Sequence, residues 1–299
     1  MGSEQLETIF VDESGDHHQM IEVHELGFVK LISVMGDDTE VENAARISYG
    51  KGTRKVSQTR NLIRYLMRHK HTSPFEMCEV KFHLKLPIFV MRQLVRHRTA
   101  NLNEYSGRYS EMSNEFYLPQ GDYLQKQSTT NNQGRGEELE SKGAVQFEFN
   151  RIYDNAKVSY ETLLEDYDLA REISRAILPV ANYTECIWKI DLHNFFHFVK
   201  LRSDSHAQRE IRDYSDAMYN LVKPYFPLCC EAFEDYMRDA VSFSASEMEF
   251  IRDCVVGDLI DEWEGYTDEE FNDEVLQGKY NLSKREMDEL KTKLSKKEN

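Results

Sequence analysis

From Cys78 to Leu86 apolar and polar side chains alternate without a break: Cys78, Val80, Phe82, Leu84 and Leu86 on one side, Glu79, Lys81, His83 and Lys85 on the other. That period of two predicts a half-buried strand. Pro87 closes it and suits the first turn of a helix, and Ile88–Arg96 has the composition to continue one, with Arg92 and Arg96 a turn apart on one face. Gly27–Met35 reads as a second strand after a polar N-terminal segment, and Glu40–Tyr49 as a short helix ending at Gly50. Ser57 is placed to cap the next helix, whose stripe is Leu62, Ile63, Leu66 and Met67. Arg60, Arg64 and Arg68 share another face of it, which fits a solvated surface. Residues Asn101–Gly107 read as a loop. Helical patterns run from Gln146 to Leu178 and from Asp191 to Tyr225, each ended by proline. Strands and helices are segregated, which points to an α+β fold.

Two stretches depart from this patterning. Lys126–Lys142 is polar, holds Gly and Asn, and is almost free of apolar residues, so it reads as an exposed insertion without a functional role. Asp258–Glu274 carries nine acids and no base, after which Ser283 to Glu286 forms a capping-box start for a short helix. The expected organisation is an N-terminal extension over 1–26, one domain over 27–236 and an acidic C-terminal extension over 237–299. There are no internal repeats.

With 299 residues, 40% of them hydrophobic, the chain can bury a substantial core. Its net charge of −16 argues against a general nucleic-acid or anionic-membrane binder, which needs a broad positive field. Five scattered cysteines with no CxxC argue against a disulfide framework or zinc knuckle and read as reduced thiols. No apolar run approaches the roughly 18 residues of a membrane span, and MGSEQLETIFVDES has neither the basic nor the apolar region of a signal peptide. A cytoplasmic protein is expected.

Charge is nevertheless local. Between Lys51 and Arg108 thirteen Lys and Arg face only three acids, about +10 in an acidic chain. Within that stretch Arg96-His97-Arg98 is followed after seven residues by Ser106-Gly107-Arg108. Arginine presents a planar fork of donors that matches phosphate or carboxylate, Ser106 adds a hydroxyl, and Gly107 allows close backbone approach. Glu104 stands among these cations, suited to an arginine or a sugar hydroxyl. Residue chemistry alone leaves two readings open here, an anion or nucleotide site and a charged surface turn. Asp191, His193 and His197 have the spacing of metal ligands on a helix, but Asn194 stands where a zincin pattern needs Glu, and structural histidines fit equally. Leu201 to Gln208, with Arg202, Asp204 and His206, breaks the amphipathic pattern and reads as a helix–helix turn.

The run Arg96-His97-Arg98, seven residues, then Ser106-Gly107-Arg108 resembles the signature of the flavin-dependent thymidylate synthases. His71-Thr72-Ser73-Pro74-Phe75-Glu76 resembles the segment upstream of that signature, and Ala45 to Gly50 its N-terminal serine site. Arg175 to Pro179 and Leu201 to Gln208 resemble the C-terminal half, so the match spans about residues 27–236. Asn101 stands where many members have serine, and Asp191, His193 and His197 stand where others have Asn, Arg and Asn.

The resemblance implies an antiparallel sheet with flanking long helices, a homotetramer with sites shared between subunits, and reductive methylation of dUMP to dTMP. It implies methylenetetrahydrofolate as carbon donor and NADPH as reductant through FAD, with no metal and no cysteine nucleophile. It assigns FAD to Ser48, His71, Ser73, Glu76, Arg96, His97, Arg98, Glu104, Asp191, His193 and His197. Arg92, Gln93, Arg96, Glu104, Ser106, Gly107, Arg108, Arg175 and Arg202 take the nucleotide, with Arg202 stabilising an ionised uracil imide. Two other readings remain: a nucleotide or RNA-phosphate binder without catalysis, and a metal-dependent hydrolase built on Asp191, His193 and His197.

Overall fold

The computed structural model describes residues 7–11, 17–47, 59–129 and 134–260. In chain order its main elements are β1 (Glu7–Val11), β2 (His17–Val23), β3 (Gly27–Met35), α1 (Asp38–Arg46), α2 (Thr59–Arg68), α3 (Ser73–Glu76), β4 (Glu79–Pro87), α4 (Ile88–Leu94) and β5 (Asn101–Glu104). There follow β6 (Gln125–Gln127), β7 (Arg135–Glu138), α5 (Lys142–Glu165), α6 (Arg171–Ser174), β8 (Tyr183–Asp191), α7 (Leu192–Arg202), α8 (Arg209–Val222), α9 (Pro227–Phe233) and α10 (Ala245–Ile260). Ser48, Tyr49, Ser57, the acidic stretch past Ile260 and Ser283 lie outside the described residues.

Six strands form one antiparallel sheet in the order β1-β2-β3-β4-β8-β5, so the architecture is α+β. Strand β4 sits near the middle, and its alternation is reproduced in burial: Val80, Phe82, Leu84 and Leu86 are fully enclosed. Opposite them in register come Ile190, Trp188, Cys186 and Thr184 of β8. Trp188 stacks on Phe82 at 6.4 Å between centroids and meets Phe198 of α7 edge-on at 5.1 Å. Replacing either aromatic by alanine removes a large buried surface and costs about 3–5 kcal/mol. The other face stays polar, its side chains cross-paired: Lys189 with Glu79 at 2.7 Å and His83 with Glu185 at 2.8 Å.

The structure changes several sequence expectations. Residues within 1–26 supply β1 and β2, which extend the sheet beyond β3. Asn101–Glu104 is an edge strand on β8 rather than loop; its four residues are all exposed, so it carries no apolar alternation to read. The basic face of α2 is not simply solvated, because Arg60 pairs with Glu231 of α9 and Arg64 with Glu231 and Asp235. The long pattern over 146–178 resolves into α5, α6 and a 3₁₀ turn at Arg175–Ile177, and that over 191–225 into α7 and α8 around a turn. The insertion folds as a β6–β7 hairpin, anchored because Arg135 pairs with Glu210, a carboxylate only 3% exposed.

By its internal packing the chain divides into units over 1–238 and 239–299. In the second unit α10 opens on a reciprocal capping box: Ser244 N–H donates to Glu247 Oε2 at 2.6 Å, and Glu247 N–H to Ser244 Oγ at 3.2 Å. Among the described residues no helix is long and apolar enough to cross a membrane.

Candidate active site

Two clusters of the expected residues form, at opposite ends of the β5–β8 edge. The first surrounds a cavity of about 270 Å³ lined by Arg96, His97, Arg98, Asn194, His197 and Arg202 among others. Arg96 to Arg98 follow α4, and Arg202 ends α7, so the arginines reach one space from two helix ends. Arg202 donates its Nε–H to His97 Nε2 at 3.0 Å. That bond requires an unprotonated Nε2, which places the ring proton on Nδ1.

Burial, together with the charge of Arg202 and with His197, pushes the His97 pKa down to about 4, so the ring is neutral at pH 7. Burial and the neighbouring Arg96 also hold the Arg202 pKa below its ordinary value. Neither Arg96, Arg98 nor Arg202 has a carboxylate partner among the described residues. Like charges gathered in this way, without a carboxylate partner among the described residues, favour an anionic ligand.

The second cluster bounds a cavity of about 320 Å³ lined by Glu104, Ser106, Gly107, Arg175 and Asn182. Ser106 Oγ accepts the Arg108 N–H at 3.4 Å, which leaves its own hydrogen to donate. Glu104 accepts from Thr184 Oγ1 at 2.9 Å. A Cβ on Gly107 would lie 2.6 Å from Met112 Sδ and 3.2 Å from Arg175 Cδ, so glycine keeps the arginine against the turn. Asn182, fully buried, donates from Nδ2 to the Ser113 and Glu115 carbonyls and fixes the cavity floor. Arg108 turns outward to Glu172 at 3.4 Å.

Other expected residues stand apart from both. Ser48 is outside the described residues. His71, Ser73 and Glu76 are exposed around α3, which packs on α7 and α1, with the His71 ring 5.8 Å from that of Tyr65. Asp191 is the N-cap of α7: its Oδ1 accepts the Asn194 N–H at 2.9 Å and its Oδ2 the Asn194 side chain at 2.8 Å. His193 and His197 do stand one turn apart on α7, yet no group of three His, Cys, Asp or Glu suited to a metal occurs among the described residues. Arg92 is exposed on α4, and Gln93 donates to Gln208 Oε1 at 2.6 Å. Asn182 and Asn194 were not anticipated; Asn194 lies inside the Asp191–His197 motif, whereas nothing local marks Asn182.

Cysteine chemistry has no support from these surroundings. Burial pushes the thiol of Cys78 up to about 11 and those of Cys186 and Cys230 up to about 12, and Cys229 is shifted the same way. A thiolate is the nucleophilic form, and these four sites suppress it.

The fold is α+β, and its two arginine-lined cavities suit an anionic substrate. A solved neighbour, the UMP/dUMP methylase PolB of Streptomyces cacaoi bound with 5-Br dUMP, superposes with a TM-score of 0.67 at 34% identity, covering 73% of this chain and 99% of that one. The family model of the thymidylate synthase complementing protein matches residues 30–228, and the chain belongs to that family. Among its relatives, the flavin-dependent thymidylate synthase of Wolbachia pipientis wMel is 47% identical over 272 residues, 90% of each chain. Those of Ehrlichia ruminantium strain Gardel and of Dictyostelium discoideum are 49% identical over 261 residues and 48% over 248, with 86% and 80% of this chain covered and 88% and 81% of theirs.

Proposed function

We propose that this enzyme methylates dUMP to dTMP in the cytoplasm, with methylenetetrahydrofolate as carbon donor and NADPH as reductant through FAD. The observation that carries the reading is the cluster of Arg96, Arg98 and Arg202 around a neutral His97, with no carboxylate partner for these arginines among the described residues. The names of its relatives and the bound analogue in the neighbouring methylase support the same substrate and a flavin. Residues 27–236 form the catalytic domain, flanked by the two extensions.

The residues present fit a flavin. Arg96 and Arg98 offer forked donors for its pyrophosphate, while Asn194 and His197 face the same cavity and Ile190 and Leu201 give apolar walls. Ser48, His71, Ser73, Glu76, Glu104, Asp191 and His193 complete the assigned set, Asp191 acting through its cap on α7. When bound, FAD supplies hydride transfer. Arg92, Gln93, Glu104, Ser106, Gly107, Arg108 and Arg175 hold the nucleotide, its phosphate on Ser106 and Arg175.

Arg202 carries the chemical step. Its Nε is occupied by His97, so its terminal nitrogens face the cavity and pair with the uracil imide. A guanidinium beside an imide favours the ionised form, which makes the ring carbon to be alkylated more electron-rich. No covalent bond to cysteine is then needed.

The enzyme works as a homotetramer with sites shared between copies. Asn182 and Ile190, one in each cavity, bound β8, and eight residues of strand put them on the order of 25 Å apart. Cavities at the two ends of one strand support an active site whose halves come from different copies.

Arg202→Ala tests this. The variant should stay yellow, with flavin bands near about 370 and 450 nm, while methylation falls about 100- to 1,000-fold. Turnover at the wild-type rate refutes the role of Arg202, and a colourless protein that FAD cannot reconstitute refutes the flavin.

A further inference from the structure

The side chains of β8 that face the core are Thr184, Cys186, Trp188 and Ile190, and Thr184, only 3% exposed, is the one hydroxyl in that row. A hydroxyl shut away from water needs a partner, and β5 supplies it. Glu104 stands opposite Cys186 where β5 pairs with β8, which puts its side chain on the same face and diagonal to Thr184. Thr184 Oγ1 donates to Glu104 Oε1 at 2.9 Å. The threonine end of this bond is buried, while Glu104 is exposed and lines the cavity of about 320 Å³ with Ser106, Gly107 and Arg175.

Glu104 and Arg175 share that cavity without pairing: among the described residues neither has a partner of opposite charge. A guanidinium and a carboxylate facing one small space can close into a forked pair, in which each consumes what the other would offer a ligand. The bond to Thr184 ties Glu104 to the strand through one oxygen and a neutral donor, so its charge is not cancelled and Oε2 accepts no hydrogen bond among the described residues. A carboxylate only accepts, which limits what Oε2 can meet on the nucleotide. The phosphate of dUMP offers acceptors, and its imide is ionised against Arg202 in the reading above. The 3′-hydroxyl is the donor that remains.

We propose that Thr184 is a positioning residue of the nucleotide site: its hydroxyl holds Glu104 away from Arg175, so that Glu104 Oε2 is free for the 3′-hydroxyl of the sugar and Arg175 for the phosphate. The proposal rests on the methylation reading and on the nucleotide role of Glu104 and Arg175 within it. Thr184 itself does not touch the substrate; it acts through Glu104.

The flavin-loaded full-length protein is titrated calorimetrically with dUMP and with 2′,3′-dideoxyuridine monophosphate, which lacks the 3′-hydroxyl. Wild type should prefer dUMP by at least about tenfold, the loss expected for a hydrogen bond to a charged group. Thr184→Val keeps the β-branched shape in the strand and removes the donor; it should weaken dUMP binding and bring the preference down toward one. Thr184→Ser, which keeps the hydroxyl, should restore the wild-type preference. Thr184→Ala is a second variant should valine misfold; melting temperature and flavin content report folding for all three. Glu104→Ala should lower the preference by itself, and adding Thr184→Val to it should leave the preference where Glu104→Ala put it. An undiminished preference in the folded Thr184→Val or Thr184→Ala variant, a serine variant that behaves like valine, or a further fall in the double variant overturns the role of Thr184. A wild-type protein that binds neither nucleotide overturns the methylation reading together with this one, whereas one that binds dUMP and fails only on the preference overturns this role alone.

Discussion

His97 receives the Arg202 Nε–H on a ring nitrogen that carries no proton, so its ionisation and the placement of Arg202 are one question. Its folded pKa of about 4 lies below the ordinary 6.5 of the imidazole. As pH falls through that window the unfolded chain takes up the proton first, so the folded state loses stability from about 6.5 down to about 4 and gains nothing by this route above it. Protonation would also break the bond to Arg202. The ring's carbon-bound protons, followed by NMR, should titrate with a midpoint about 4. A midpoint near the ordinary histidine value would mean that water and counter-charge reach the ring and that Arg202 is not pinned by it. Of the individual side chains here, the arginines announced themselves by local charge contrast. Asp191 did not: its spacing suggested ligand chemistry, and the backbone N–H groups at the start of α7, which no sequence motif displays, made it a cap.

Among the elements, the β2–β3 hairpin is held by a close approach at Gly27. A Cβ there would stand 2.0 Å from the Tyr214 hydroxyl, 2.7 Å from the Val23 carbonyl and 2.9 Å from the Lys85 carbonyl. The Tyr214 hydroxyl donates to that same Lys85 carbonyl at 2.8 Å, which locks α8 onto the sheet. Two of the three obstacles are backbone and cannot swing aside. Gly27→Ala should therefore cost about 3 kcal/mol in urea denaturation, at the upper end of overpacking. Tyr214→Phe, which removes the nearest obstacle and one hydrogen bond, should partly relieve it, giving a double mutant less destabilised than the sum of the singles. A neutral Gly27→Ala would contradict this packing.

Strand β4 was legible because it has one buried and one polar face, so burial writes a period of two into the residues. Strand β8 alternates in burial just as regularly, but its polar face includes Ile187, which blurs the pattern. Strand β5 and the β6–β7 hairpin carry no such record, since their residues are mostly exposed and their pairing is dictated by a neighbouring edge or by one buried ion pair. The site followed the same rule. Residues clustered in sequence were readable, while Asn182 takes its place from contacts 67 and 69 residues away.

For the whole molecule, the two cavities lie toward different ends of β8, and α5 exposes Phe147 at 65% and Val158 at 60%. In the proposed homotetramer identical copies would cover such apolar side chains, and each active site would take Arg202 from one copy and Ser106 and Arg175 from another. The prediction is complementation between two inactive variants. Arg202→Ala alone and Arg175→Ala alone should each be nearly inactive, because every site in either homo-oligomer lacks one half. Co-expressed and assembled at random, the two should recover about a quarter of the wild-type rate, the share of sites in which both intact halves meet. A rate no higher than that of either variant alone would place Arg202 and Arg175 in sites built from a single copy, and the division of labour between the two ends of β8 would fall with it.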